Sequence, residues 1–152
     1  MNFLACDLGG TKTLLGIFER VINDDSPKLL FKKKYISSEW DSFELILEDF
    51  LKKECKDITH PHYACFAVAG PTSKNNAKIV NLSWNISGNA LQKKFNFKSC
   101  ELINDFAVQI YGIPFLKKIN ILLSKMDPIL KALIMIFMPL LEREPVWALQ
   151  EA

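Results

Sequence analysis

Apolar residues fall in short unbroken runs over the first third of the chain. Phe3-Leu4-Ala5-Cys6 is a continuous hydrophobic stretch, read as a buried strand. Asp7-Leu8-Gly9-Gly10-Thr11 interrupts it as a tight turn, and Thr13-Leu14-Leu15-Gly16-Ile17-Phe18 returns as a second strand, so the two form a hairpin. Asn23-Asp24-Asp25-Ser26-Pro27 is dense in turn formers and predicts an exposed bend before a third strand from Leu29 to Ile36. From Asp41 the period lengthens. Phe43, Ile46, Leu47, Phe50 and Leu51 share one helical face, and Asp41 with Glu44 has the spacing of a capping box. Tyr63 to Ala69 is strand-like again and stops at Gly70-Pro71. Asn75-Asn76 predicts a turn, Lys78-Ile79-Val80 a short strand, and Leu91 with Phe95 one face of a short helix. Leu102-Ile103 is a brief strand leading into Asn104-Asp105 and a helix through Phe106, Ile110 and Tyr111 to about Ile113. The order β-β-β-α-β-β-α-β-α predicts an α/β domain.

Composition narrows the class. At 152 residues, with 49% hydrophobic and 24% charged positions, the chain suits one globular domain with its own core. A net charge of +2 gives no reason to expect nucleic acid or an anionic membrane as partner. The Lys32-Lys33-Lys34 run is read as a solvated strand end. Cys6, Cys55, Cys65 and Cys100 are widely spaced with no Cys-x-x-Cys pair, which suits a reducing cytoplasm and neither a disulfide scaffold nor a zinc site. His60-Pro61-His62 has no partner at ligand spacing and is read as a loop. Asp7 interrupts the opening apolar run, so no signal peptide is expected there. The greasy stretch from Ile129 to Leu141 contains Lys131 and Pro139 and is shorter than a membrane span of ~20 residues. A cytoplasmic protein without a membrane segment is expected.

Two constellations carry chemistry. The first is Asp7-Leu8-Gly9-Gly10-Thr11-Lys12 between two strands. A phosphate needs backbone N–H groups pointing into a concave turn, and glycine allows both unusual dihedrals and close approach. Thr11 adds a hydroxyl. Asp7 cannot sit against phosphate without an intervening cation, so its task there is to orient hydrated Mg²⁺. The spacing is neither that of a Walker loop nor that of a dinucleotide-binding turn. An ordinary hairpin turn explains Gly-Gly equally well. The second is Glu101-Leu102-Ile103-Asn104-Asp105-Phe106, where a carboxylate at the carboxyl end of a strand projects into the crevice used by ligands of open α/β sheets. It could take the proton of an attacking hydroxyl while Asn104 holds neighbouring hydroxyls. Taken alone, the carboxylate reads more readily as a helix N-cap. Gly70-Pro71 alone is a strand terminator, and Trp84 alone is a core residue.

Together, Asp7-Leu8-Gly9-Gly10-Thr11, Ala69-Gly70-Pro71, Asn81-Leu82-Ser83-Trp84 and Ile103-Asn104-Asp105-Phe106 with Ile113-Pro114 resemble the bacterial glucokinases of the hexokinase and actin superfamily. The likeness covers residues 1–118. It implies a ribonuclease-H-like, actin-like ATPase N-terminal domain with a mixed sheet and flanking helices. It further implies that Cys6, Asp7, Leu8, Gly9, Gly10 and Thr11 form the first phosphate loop for ATP, that Asn104 binds the sugar, and that Asp105 is the general base deprotonating the glucose 6-hydroxyl. The implied cofactors are ATP and Mg²⁺, with Asp7 reaching the metal through water, and the implied reaction opens glycolysis. Two lobes would close around glucose and exclude water. The intact family also allows a homodimer.

Residues 119–152 depart from that pattern. The family carries a second Gly-rich phosphate loop and a Glu/His cluster completing the sugar site, whereas here an apolar tail follows. Read from the third base of each codon, Glu144 to Ala152 together with the codon before them can spell Gly-Thr-Gly-Leu-Gly-x-Ala-Arg-Gly, because Trp147 followed by Ala148 forces a glycine. The tail is therefore read as out-of-frame sequence beginning near residue 119, which would impair phosphotransfer. A genuine hydrophobic helix, packed on the sheet or on a partner, is the other reading. The alternative functions are a non-catalytic actin-like half-domain that binds nucleotide or a partner, and a kinase for another hexose.

Overall fold

The computed structural model describes residues 1–20 and 27–108. The bend at 23–26, the helix beyond residue 108 and the 119–152 tail lie outside the described residues.

The unbroken apolar run at the start forms β1 (Asn2–Leu8), buried on both faces at the centre of a five-stranded sheet. It pairs antiparallel with β2 (Lys12–Glu19), which pairs antiparallel with β3 (Lys28–Ile36). On its other side β1 pairs parallel with β4 (Tyr63–Val68), and β4 pairs parallel with β8 (Ser99–Asn104). The sheet order is β3-β2-β1-β4-β8. Three antiparallel strands extended by two parallel ones make the mixed sheet of the ribonuclease-H-like fold expected from the sequence.

Side chains alternate between two cores. Leu4, Cys6, Leu8, Leu15 and Ile17 face a large cluster that includes Phe43, Ile46, Leu47 and Phe50 of the first helix. Phe3, Ala5, Phe18, Cys65 and Ala67 face a smaller one that Val108 joins from the helical turn after β8. Phe43 meets Phe66 edge-on with centroids 5.2 Å apart. Each fully buried phenylalanine of this kind contributes about 2–3 kcal/mol of hydrophobic stabilisation.

The helix α1 (Phe43–Asp49) starts one residue later than the Asp41–Glu44 spacing suggests. Ser42, in extended conformation, is the N-cap, and its hydroxyl accepts from Leu45 N at 3.3 Å. Glu44 thus falls at the second helical position, where it favours the helix dipole but has no capping-box geometry. The helix widens into a π turn at Phe50–Glu54, which keeps Phe50 buried.

Between β4 and the second helix the pattern shows one strand, and the structure has three. These are β5 (Thr72–Ser73), β6 (Asn76–Ile79) and β7 (Trp84–Ser87), forming a separate antiparallel sheet. The turn is at Lys74-Asn75, both left-handed with φ of 49° and 58°, as a two-residue hairpin loop requires. Val80 leaves the strand for a 3₁₀ turn, Val80–Leu82, and is exposed. β5 is too short and β7 too polar to register as apolar runs. The second helix, α2 (Gly88–Lys94), buries Leu91 as its spacing implies.

The lysine run is not a strand end but the middle of the edge strand β3. Lys32 and Lys34 are exposed on one face, while Lys33 turns to α1 and pairs with Asp49 at 3.3 Å and Glu54 at 3.0 Å. Alternation along the strand separates the three charges.

Candidate functional site

The register places Leu8, Val68 and Asn104 side by side, so β1, β4 and β8 end at one level. The three polar segments singled out in the sequence follow at once: Gly9-Gly10-Thr11, Ala69-Gly70-Pro71 and Asp105. With strands ~4.8 Å apart, the glycine turn and Asp105 stand about 10 Å from each other across β4. This is the crevice at the carboxyl ends of parallel strands.

Gly9 N donates to Lys12 O at 3.0 Å and closes the first turn. Neither of its glycines uses a left-handed dihedral, so the dihedral freedom expected of them is not what the turn needs. Space is. A Cβ on Gly9 would lie 3.0 Å from Lys12 O, whereas one on Gly10 would meet only the Asn81 side chain, from 3.6 Å, and Ile79. Gly10 therefore leaves a bare stretch of backbone facing Asn81, which brings two separated sequence segments together.

Ser37 holds this turn from beneath, and the hydrophobic pattern gives no sign of it. Its amide donates to Thr11 O at 3.0 Å and its hydroxyl to Gly9 O at 2.8 Å. The Ser37 proton being so used, Thr13 Oγ1 donates to Ser37 Oγ at 2.9 Å. Thr13 and Ser37 are both fully buried.

The other members of the expected phosphate loop divide by strand alternation. Cys6 and Leu8 point into the large core and can offer a ligand only their backbone. Burial, and after it the neighbouring Asp7 carboxylate, pushes the Cys6 thiol well above its usual range. Asp7 points to the opposite face, the one on which the turn after β8 begins. Thr11 and Lys12 are exposed.

Asn104 and Asp105 share the start of a helical turn at 105–108. Asn104 Oδ1 accepts from Phe106 N at 3.1 Å and Ala107 N at 3.3 Å, so Asn104 is the cap. Asp105 Oδ1 accepts from Phe106 N at 3.0 Å, and the carboxylate is half-buried. Asn104 Nδ2 donates to Gly70 O at 2.8 Å and ties β8 to the turn after β4. Gly70 is more than a strand terminator, since a Cβ there would lie 2.8 Å from the Lys78 carbonyl of β6.

Other candidates resolve as structure. Trp84 is buried in the large core. His60 stacks on Phe97 at 5.6 Å, with Nε2 2.8 Å from Phe95 O. All four cysteines are free and buried. No group of three or more His, Cys, Asp or Glu at metal-binding distance occurs among the described residues. A depression of ≈ 640 Å³ lined by Asn2, Asp57, His62 and Lys98 lies at the opposite end of β1 and β4 from this chemistry.

The glucokinase family model matches residues 4–133. The chain belongs to the glucokinase family. Among curated relatives it is 41% identical over 117 residues to a glucokinase of Nostoc punctiforme, covering 76% of this chain and 33% of that protein. To a glucokinase of Synechocystis it is 37% identical over 121 residues, covering 74% and 34%. The chain thus spans about a third of the length of these curated relatives. Among solved structures, a glucokinase from an Antarctic psychrotroph superposes with a TM-score of 0.67 at 27% identity, over 74% of this chain and 35% of that one. A glucokinase from Balamuthia mandrillaris in complex with glucose gives 0.58 at 21% identity, over 80% and 34%. A ROK family glucokinase from Streptomyces griseus in complex with glucose and AMPPNP gives 0.50 at 16% identity, over 74% and 36%.

Proposed function

We propose that this chain carries the first phosphate loop and the sugar-activating pair of an ATP-dependent glucokinase. The observation that supports this most is the convergence of the Gly9–Thr11 turn and Asp105 at the carboxyl ends of β1 and β8, with one strand between them. In this reading the backbone amides around Gly10 receive phosphate oxygens, since the nearest atoms to a Cβ there, on Asn81 and Ile79, lie no closer than 3.6 Å. Asp105 accepts the proton of the glucose 6-hydroxyl as that oxygen bonds the γ-phosphorus and the bond from that phosphorus to the bridging oxygen breaks, releasing ADP. Asn104 has one amide hydrogen on Gly70 O, and its second is directed to a sugar hydroxyl. The site is fixed before substrate arrives, because Ser37 and Gly70 hold its two turns by hydrogen bonds that the ligand does not supply.

Mg²⁺ fits this donor set. Asp7 is a half-buried carboxylate beside the loop, and Mg²⁺ is ordinarily held by one or two carboxylates, water and substrate phosphate. When bound, the ion supplies neutralisation of phosphate charge, and Asp7 orients its water shell. Four buried free thiols suit the reducing cytoplasm proposed for the chain, and glucose phosphorylation would place it at the entry of glycolysis. No helix among the described residues is long and apolar enough to cross a membrane.

Amide-resolved NMR titration of the chain tests the reading. Mg²⁺–ATP is expected to shift Gly9, Gly10 and Thr11 saturably, and glucose to shift Asn104, Asp105 and Phe106. Absence of saturable shifts in both sets overturns it. The out-of-frame reading of 119–152 belongs to the same proposal. It is tested on the gene's DNA, where no displaced frame encoding a second Gly-rich loop means that it is wrong.

A further inference from the structure

We propose that Asn75, at the tip of the β5–β6 hairpin, is a positioning residue for the Asn104–Asp105 pair. The inference rests on the sugar-kinase reading only for its ligand-binding consequence.

β8 is an edge strand of the main sheet among the described residues, so one side of its backbone lacks a strand partner. The Asn75 carboxamide occupies that side. Its Nδ2 donates to Cys100 O at 2.8 Å, and its Oδ1 accepts from Leu102 N at 2.8 Å. One planar amide thus satisfies an acceptor and a donor two residues apart, as a residue of a sixth strand would. Nδ2 also lies 3.1 Å from Asn89 Oδ1, and the Asn75 carbonyl accepts from Gly88 N at 2.9 Å. A Cβ at Gly88 would run into the carboxamide, so the start of α2 is shaped around it.

This geometry couples two sheets. The left-handed backbone at Asn75, φ 58°, aims the side chain at β8 rather than along the hairpin. The same hairpin backs onto Gly70 through Lys78 O, and Gly70 O receives Asn104 Nδ2. β8 is therefore held to the hairpin at Cys100 and Leu102 by Asn75, and to the turn before the hairpin by Asn104. Leu102 is two residues from Asn104. Loss of the clamp frees the strand end to move relative to Gly70.

Asn75→Gly is the informative variant, because glycine accepts the left-handed dihedral and only the carboxamide is lost. In hydrogen-exchange NMR, protection at Leu102, Phe106 and Ala107 is expected to fall at least tenfold, while Leu4 and Phe66 in the central strands keep wild-type protection. Glucose affinity is expected to fall about tenfold, with Mg²⁺–ATP affinity within twofold of wild type. Asn75→Asp keeps the acceptor for Leu102 N and loses the donor to Cys100 O, so intermediate protection is expected, and it serves if Asn75→Gly does not fold. Wild-type protection at Phe106 and Ala107 in whichever variant folds overturns the proposal. A wild-type chain that binds no glucose defeats the sugar-kinase reading alone, because the exchange measurement still decides the positioning role.

Discussion

Asn104 Nδ2 donates to the Gly70 carbonyl at 2.8 Å while its Oδ1 caps the helical turn that Asp105 opens. Asn104 thus carries structural bonds that its neighbour Asp105 does not share. Asn104→Ala removes a cap and a strand-end bond together and is expected to cost about 2 kcal/mol. Asp105→Asn keeps both and is expected to change stability by less than about 0.5 kcal/mol. Under the proposed role of Asp105 as base, the order reverses in character, and Asp105→Asn is expected to lower whatever glucose phosphorylation the chain supports by about 100-fold or more. Urea midpoints and a coupled assay check the pair. Equal destabilisation by both substitutions would show that the cap is shared.

The two glycine turns differ in what they tolerate. Gly70→Ala drives a methyl into the Lys78 backbone carbonyl and is expected to destabilise by about 1–3 kcal/mol, read as a lowered Tm. Gly10→Ala meets only a side chain at ordinary contact distance, so its Tm is expected to stay within a few degrees of wild type. Under the proposed phosphate contact its effect is expected on nucleotide binding, since the methyl would stand where phosphate approaches. Mg²⁺–ATP affinity undiminished in a folded Gly10→Ala chain would argue against a phosphate contact at that glycine.

Ser37→Ala leaves the half-buried Gly9 carbonyl without its side-chain donor and the buried Thr13 Oγ1 without its acceptor. Stranding buried polar groups costs about 1–3 kcal/mol, so a loss of that size is expected in denaturant titration. Exchange at Gly9 and Gly10 should rise with it. Thr13→Val combined with Ser37→Ala is expected to recover part of the loss, because both ends of one buried bond are then apolar.

Asp49 sits between Lys33, Lys53 and the Tyr35 hydroxyl, which donates to Asp49 Oδ2 at 2.9 Å. Burial opposes its ionisation, but the bonds from Lys53, Tyr35 and Lys33 outweigh burial and hold its pKa below the usual value. A carboxylate with a depressed folded-state pKa adds stability above its unfolded pKa of about 3.9, lost as pH falls through the folded value. Lys33 behaves in the opposite sense. Burial lowers its pKa, but Glu54 and Asp49 raise it further, so its contribution is present below about 10.4 and lost at higher pH. Asp49→Asn is expected to cost about 1 kcal/mol at pH 7, given partial exposure of its lysine partners. It should also flatten the fall in urea midpoint between pH 5 and 2. An unchanged pH slope would show that other carboxylates carry it.

Continuous apolar runs and helical spacing were enough to read β1 to β4, α1, α2 and β8, because local periodicity decides which segments bury a face. The order of those segments with two glycine turns and Asn104-Asp105 was also enough to point to the glucokinase family. Periodicity could not show β5 and β7, one too short and the other too polar. Nor could it show that Ser42 rather than Asp41 caps α1, that Lys33 is half-buried and paired with Asp49 while Lys32 and Lys34 are exposed, or that Ser37 and Asn75 bond distant backbone groups. Ser37 reaches Gly9 across 28 residues and Asn75 reaches Leu102 across 27. The chain by itself determined its strands, its glycine turns and its family. Only the tertiary structure decided which polar side chain meets which backbone group, because hydrogen bonds between residues far apart in sequence depend on sheet order and register rather than on local composition.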